Sequence, residues 1–217
     1  MTVTVHPSQP VPLAEGLLAR WRRIPVSVIV DLAPDRQIDP AIKALHPAGR
    51  QPALFGRAVT ARCEPPDFGA VLHALEFVEP GNVLVIAAGG NAAYAMIGDV
   101  LGGHLHRGGA AGVVCDGAIR DTAGLAAMTG LSVYSRAINP RGPTGAADGD
   151  VNGTVDIGGC AVNPGDLIIG DGDGLAALTP ANLASLIDAA EAKLALEAEW
   201  TGRLTAGDRV SEIFGLT

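Results

Sequence analysis

The chain has 217 residues, 48% apolar and only 18% charged; that is long enough for one sizeable core, and no Ser/Gly/Pro-rich linker or charge block divides it. Its formal charge of −8 opposes the phosphate backbone of nucleic acid, and no basic stripe with interleaved aromatics offsets it. No apolar run reaches the roughly 20 residues that span a bilayer, so neither nucleic acid nor membrane is an expected partner.

The chain reads as a single domain over 1–217, with an N-terminal extension and helix at 1–24 and a helical tail at 179–217. Leu13 to Trp21 carries apolar residues at helical spacing, and Gly56 to Cys63 alternates as a strand does. Phe68 to Val78 reads as an amphipathic helix. Glu79-Pro80-Gly81-Asn82 places Pro and Gly where a type II turn needs them and launches the apolar strand Val83 to Ala87. The same device, Asn163-Pro164-Gly165-Asp166, precedes Leu167-Ile168-Ile169. Ala111 to Cys115 is a short buried strand, with Asp116 and Gly117 expected to turn the chain at its end. Helix and strand alternate from 68 to 134, which calls for crossovers and parallel pairing, whereas 151 to 178 is a series of short strands with Gly turns. One of those turns, Gly170-Asp171-Gly172-Asp173-Gly174, lacks the ligands of a calcium loop. Thr179-Pro180 is an N-cap with a first-turn proline, opening a long helix over Asn182 to Trp200, and Asp208 to Leu216 has room for one more short helix. A mixed, layered α/β fold follows. Its long helix has to pack on the body or on a neighbouring subunit, and the low surface charge points to burial between subunits.

The N-terminus has no basic-then-apolar leader. Cys63, Cys115 and Cys160 are odd in number and far apart, as expected of buried, reduced thiols in a cytoplasmic protein.

Two segments offer chemistry. If a helix begins near Gly98 in Gly98-Asp99-Val100-Leu101-Gly102-Gly103, its free backbone N–H groups form an anion site that glycine lets a carboxylate approach. The plainer reading is glycines that allow tight helix packing, with Asp99 a first-turn charge favoured by the helix dipole. Arg120-Asp121 follows a strand and precedes a helix start at Thr122, the kind of place where ligands gather in α/β proteins; its plainer reading is an exposed ion pair. Together Asp99, Arg120 and Asp121 supply the parts of a magnesium or manganese site beside an arginine. Hard cations take oxygen ligands and keep several waters when a protein offers one or two carboxylates. Histidine adds nothing, since His104 and His106 do not share a helical face, and there is no nucleophile elbow or Walker loop.

The succession Gly98-Asp99-Val100-Leu101, Gly109, Gly112, Val113 and Asp116-Gly117-Ala118-Ile119-Arg120-Asp121 resembles the signature of the class II 4-hydroxy-4-methyl-2-oxoglutarate aldolases. These share their fold with the regulator of ribonuclease activity A. The likeness continues through Ser135 to Pro143 and Val162 to Asp166 to Gly215-Leu216. It implies a layered β/β/α mixed sheet, swivelling-domain-like, in a homotrimer or hexamer with sites between subunits and the C-terminal helix packed on a neighbour. By the same resemblance, Gly98, Asp99, Val100 and Leu101 present the substrate-binding turn, Arg120 binds the substrate, and Asp121 holds the divalent metal, Mg2+ or Mn2+. It also implies a carboxylate from the neighbouring chain's C-terminal helix, with Glu197 the best match and Glu199 a close rival.

The implied activity is aldol cleavage of a 4-hydroxy-2-oxo acid to pyruvate and a second oxo acid, with oxaloacetate decarboxylation through the same enolate. The residue types suit it: a divalent metal is an electron sink at the 2-oxo group, Arg120 and backbone N–H groups stabilise the oxyanion, and Asp99 positions a water for proton transfer. The alternative is a non-catalytic regulator that binds a ribonuclease or other protein partner; such regulators tend to lack the Asp after the Arg, so Asp121 favours the enzyme. A methyltransferase finds no Gly-rich nucleotide loop here. Gly102-Gly103 departs from the expected pattern, costing roughly 1 kcal/mol per glycine against alanine in a helix, and is expected to open space for a different substrate.

Overall fold

In the computed structural model, which describes residues 2–216, the apolar runs form the centre of a nine-stranded mixed sheet. In chain order the elements are β1 (Thr4–Val5), α1 (Glu15–Trp21), α2 (Val26–Leu32), β2 (Lys43–Ala44), β3 (Leu54–Arg62), α3 (Gly69–Ala74), β4 (Asn82–Ile97), α4 (Asp99–Arg107), β5 (Gly112–Ile119), α5 (Thr122–Ala126) and β6 (Ser132–Ile138). There follow β7 (Asp150–Val151), the hairpin β8 (Val155–Ile157) and β9 (Cys160–Val162), β10 (Leu167–Gly170), β11 (Leu175–Leu178), α6 (Pro180–Ala206) and α7 (Val210–Phe214). The sheet order is β1-β7-β3-β4-β5-β6-β2, with β10 pairing the first part of β3 and β11 beyond it. Strands β3 to β6 are parallel, connected through α3, α4 and α5, while β3, β10 and β11 pair antiparallel.

Both faces of the parallel strands are covered, which is why they read as continuous apolar runs. Along β4, Leu84 and Ile86 bury against Val71 of α3, Leu105 of α4 and Leu125 of α5, whereas Val83 and Val85 face the cluster of Val155, Ile157 and Val162 from the β8–β9 hairpin. A third cluster joins Trp21, Ile29, Leu183 and Ile187 of α1, α2 and α6 to Leu167 and Ile169 of β10. Each such side chain, fully buried, contributes roughly 1.5–3 kcal/mol. The two Pro-Gly turns form as expected: Gly81 and Gly165 have φ of +82° and +84°. Asn82 N–H donates to Glu79 O at 3.0 Å, and Asp166 N–H to Asn163 O at 3.1 Å.

Three features differ from the sequence expectation. Asp116-Gly117 is not a turn, because β5 runs straight through it to Ile119. Instead β4 bends at Gly89 and Gly90 (φ +60° and +75°) and continues to Ile97, so the ladder slips from Ala87↔Asp116 to Asn91↔Gly117. Gly117 serves this close approach, since a Cβ there would lie 2.8 Å from that of Ala88. Asp116 is buried and bonded to Arg136 Nε at 2.5 Å, and Arg136 Nη2 reaches Asp39 at 2.9 Å. Helix α2 was not expected from its β-branched sequence; Val26, Val28 and Ile29 are buried, and Asp171 of the β10–β11 turn accepts the Val26 N–H at 2.9 Å. Tertiary packing and a remote cap override local propensity there. The third feature is the short strand β1, which pairs with β7.

Helix α6 begins at its expected cap: Thr179 Oγ1 accepts the Asn182 N–H at 3.2 Å and Asn182 Oδ1 accepts the Thr179 N–H at 3.1 Å. Its buried residues are Leu183, Ile187 and Ala190, all in its first half. Further along, Trp200 packs in a tilted arrangement against Phe214 of α7, 4.9 Å between ring centroids. No described helix is long and apolar enough to cross a membrane. All three cysteines are free and buried, and burial pushes the Cys63 thiol up to about 12. Thr179→Ala should lower the unfolding free energy by about 1 kcal/mol, read as a lower urea midpoint at unchanged slope.

Candidate active site

Strands β4 and β5 end side by side, Ile97 opposite Ile119, and Arg120 N–H donates to Ile97 O at 3.0 Å. The chain leaving β4 enters α4 with Gly98 as N-cap, and Gly102 N–H closes the first turn on Gly98 O at 2.9 Å. The chain leaving β5 presents Arg120 and Asp121. Parallel pairing therefore sets the first turn of α4, with N–H groups that have no intrahelical acceptor, against the Arg-Asp pair.

Asp121 is the N-cap of α5 and has φ +54°, a left-handed conformation that costs a non-glycine residue about 1 kcal/mol or more and that Asp adopts more readily than most. Its carboxylate makes no capping bond. Oδ2 lies instead 3.3 Å from Arg120 Nε, and both side chains are 43% exposed. Glycines make room for this pair. A Cβ on Gly98 would overlap the Asp121 carboxylate and come within 3.0 Å of Arg120 Cγ, and one on Gly142 would lie 2.5 Å from Arg120 Nη1. The two side chains face a cleft of about 330 Å³ whose other walls include Val100 and Leu101 of α4, Phe68, Leu72 of α3, and Pro143.

The remaining candidates fall differently. Gly98, Val100, Leu101, Arg120 and Asp121 all line the cleft, but Asp99 does not; its side chain lies against Gly124, where a Cβ would come within 2.8 Å of that of Asp99. Glu197 sits on the second half of α6, 3.5 Å from Lys193, which in turn reaches Asp31 of α2 at 2.9 Å, so it is outside the cleft of its own chain. Gly102 and Gly103 open no space for substrate. Both are buried, and a Cβ on Gly102 would strike Leu125 Cδ2, so close packing of α4 on α5 is what they permit.

Sequence reasoning missed the apolar wall and its anchor. Asp67 binds the Gly69 N–H at 2.7 Å and the Asp148 N–H at 3.0 Å through Oδ1, and the Ala147 N–H at 2.9 Å through Oδ2. With Phe68 N–H to Gly145 O at 3.0 Å and Thr144 N–H to Pro66 O at 2.9 Å, it fastens the 142–148 loop to the start of α3. The local signal was an Asp two residues before a helix start, an Asx turn, although nothing in the sequence announced the loop as its partner.

Among the described residues no group of three or more His, Cys, Asp or Glu side chains is placed to hold a metal. Asp121 alone offers a half-exposed carboxylate in the cleft. That donor set does not suit a closed zinc site, but it suits a hard cation that keeps waters and takes further oxygens from a substrate.

Residues 27–176 match the profile of the RraA-like family, described as Aldolase/RraA. The chain belongs to the RraA-like family. A relative from Halalkalibacterium halodurans, provisionally named 4-hydroxy-4-methyl-2-oxoglutarate aldolase, is 30% identical over 178 residues, which is 82% of this chain and 83% of the relative. Among solved structures, Streptomyces coelicolor RraAS2, described as an unusual member of the RNase ES inhibitor RraA family, superposes with a TM-score of 0.76 at 25% identity, covering 90% of this chain and 100% of RraAS2. An uncharacterised protein from Pseudomonas syringae pv. tomato reaches 0.84 at 21% identity over 98% of this chain and 99% of its own, a likeness of fold. The expected mixed α/β architecture is thus the RraA-like fold.

Burial works to raise the pKa of Asp67, but its three backbone N–H bonds outweigh that and hold the carboxyl below the ordinary carboxylate range. A depressed folded-state pKa gives stability that is present above the unfolded value near 3.9 and is lost as pH falls through the folded value. Asp67→Asn should accordingly be less stable than wild type at pH 7, with the gap closing at pH 3 in urea titrations.

Proposed function

We propose that this RraA-like protein cleaves a 4-hydroxy-2-oxo acid, of the 4-hydroxy-4-methyl-2-oxoglutarate kind, to pyruvate and a second oxo acid, and decarboxylates oxaloacetate in the same site. The observation that carries the proposal is Asp121, a helix N-cap whose carboxylate is withheld from capping and laid beside Arg120 in a cleft. The aldolase name of the 30% identical relative supports the reading.

The substrate carboxylate is received by Arg120 and by the free N–H groups of the first turn of α4 at Val100 and Leu101. Asp121 would hold Mg2+ or Mn2+. When bound, such a cation withdraws electrons at the 2-oxo group. The 4-hydroxyl gives up its proton, the C3–C4 bond breaks, C4 leaves as a carbonyl, and the bond's electron pair passes to the C2 oxygen as an enolate. Arg120 stabilises that developing charge. Asp99, outside the cleft wall, acts through a water that takes the hydroxyl proton or returns one to C3, which completes pyruvate. Loss of carbon dioxide from oxaloacetate leaves the same enolate. In a homotrimer or hexamer, the second half of α6, where no residue is buried by its own chain, would carry Glu197 or its neighbour Glu199 toward the cleft of an adjacent subunit.

The second reading, a regulator that binds a ribonuclease or other protein, draws on the likeness to RraAS2. Assays of pyruvate release from 4-hydroxy-4-methyl-2-oxoglutarate and from oxaloacetate separate the two. Turnover should require Mg2+ or Mn2+ and stop in chelator. Asp121→Ala should abolish the response to metal while leaving the protein folded, and Arg120→Gln should lower kcat by about 100- to 1,000-fold. Full activity of Asp121→Ala, or in chelator, would sink the metal assignment; an inert wild type that captures a ribonuclease would favour the regulator.

A further inference from the structure

We infer that the protein has a second anion site, built around Arg57 at the end of the sheet remote from the cleft, which takes a compact oxyanion, a carboxylate or a phosphate.

The two Pro-Gly turns of the sequence flank this place. Arg57 lies opposite Asn82 in the β3–β4 ladder, where the 79–82 turn ends, and its Nε donates to Gly165 O of the 163–166 turn at 3.0 Å. Between the turns is a cavity of about 350 Å³ whose wall also includes Ser8, Pro10 and Asn152. It shares no lining residue with the cleft. The two are separated by the length of β5, eight residues that span roughly 23 Å.

Gly165 makes room for the guanidinium, since a Cβ there would lie 2.6 Å from that of Pro10 and 3.0 Å from Arg57 Nη2. Among the described residues that Nη2 is the only buried side-chain nitrogen or oxygen with no hydrogen-bond partner. Burial lowers the basicity of Arg57, and the Asp166 carboxylate offsets this only in part. Asp166 is itself engaged, because its Oδ2 accepts the Asn163 N–H at 2.9 Å and the Asn163 side-chain amide at 3.1 Å. An arginine keeps its charge in such a place, so the cavity holds a cation with donors to spare. Leaving a buried charged donor unbonded is costly, and an oxyanion accepts from a guanidinium through short, charge-assisted bonds.

The other polar groups of the wall suit the same ligand. Asn152 is 9% exposed and holds φ +57°, a left-handed backbone that few non-glycine residues adopt and that recurs at ligand sites. Its N–H reaches Thr60 O at 2.9 Å, while its carboxamide makes no hydrogen bond to a described residue. Asn82 commits Oδ1 to the Glu79 N–H at 3.0 Å, which leaves its NH2 group as a donor. The one acid of the wall, Glu79, is exposed and can turn to water. Pro10, which covers Nη2, belongs to the 7–13 segment; that segment makes no backbone hydrogen bond among the described residues, so the cover can shift without breaking one.

The test is calorimetric titration of the assembled full chain carrying Arg120→Gln, in chelator, so that neither the cleft's arginine nor a metal at Asp121 holds the anion. We expect one inorganic phosphate or one acetate to bind per chain, and the tighter of the two tells a phosphate ligand from a carboxylate. Adding Arg57→Gln should abolish this binding. Adding Asn152→Asp, a change that the left-handed backbone tolerates and that sets a carboxylate in the cavity, should weaken it about tenfold or more. Asn152→Gly, which keeps the backbone unstrained and removes the carboxamide, should weaken it in the same direction. Absence of saturable anion binding in Arg120→Gln, or equal affinity in the folded Arg57 and Asn152 variants, overturns the inference and leaves the reading of the cleft untouched.

Discussion

The hydrogen bond from Arg120 N–H to Ile97 O, at the far end of the β4–β5 ladder, is the contact on which the site depends. It fixes where two chain segments leave neighbouring parallel strands, and so sets the α4 N-terminus against the Arg-Asp pair. Everything else in the cleft is arranged around that junction. Gly98 and Gly142 are bare so that the guanidinium and the carboxylate can lie on the backbone, and Gly124 is bare so that Asp99 can pack beneath. A slip of one residue between β4 and β5 would exchange the faces of the whole ladder, and the buried alternation of Leu84 and Ile86 with Val83 and Val85 forbids it.

The junction is held from outside by charge. Arg136 links buried Asp116 to Asp39; its basicity is raised first by the bond to Asp116 and, despite burial, further by Asp39. The Asp39 carboxyl is lowered first by the Ala41 N–H and then by Arg136. Removing Arg136 would leave the buried Asp116 carboxylate without its cation, which costs far more than the intact group contributes. This triad sits where β5 slips against its neighbours, at the place where backbone pairing is weakest. Charge thus reinforces the irregularity that glycine at 117 allows.

Much of this was legible in the sequence, and the reasons for success and failure are physical. The parallel core could be read because Val83 to Ala87 and Ala111 to Cys115 are apolar without interruption, and the caps because Thr179-Pro180 and the Pro-Gly turns act locally. Gly98, Arg120 and Asp121 could be read because their resemblance to a family signature is local as well. Helix α2 could not, because what caps it is Asp171, 145 residues away. Asp116-Gly117 misled because a glycine after an aspartate signals a turn in isolation, whereas its actual need, room for Ala88, lies on another strand. The wall of Phe68, Leu72 and Pro143 was hidden for the same reason: Asp67 joins two segments that only the folded chain brings together.

Asp121 shows how the site and the fold compete. An aspartate in the N-cap position ordinarily lowers the free energy of its helix by accepting a first-turn N–H, an effect of about 1 kcal/mol. Here the left-handed backbone turns the carboxylate away, so α5 forgoes that bond and carries conformational strain besides. Helix α5, five residues long, would be marginal alone; burial of Leu125 against α4, with Gly102 cut back to receive it, stabilises it. The paired glycines of α4, costly in a helix interior, therefore act in the same direction as the strained aspartate. They allow the packing that keeps α5 in place while its N-terminal carboxylate stays uncapped beside Arg120 in the cleft.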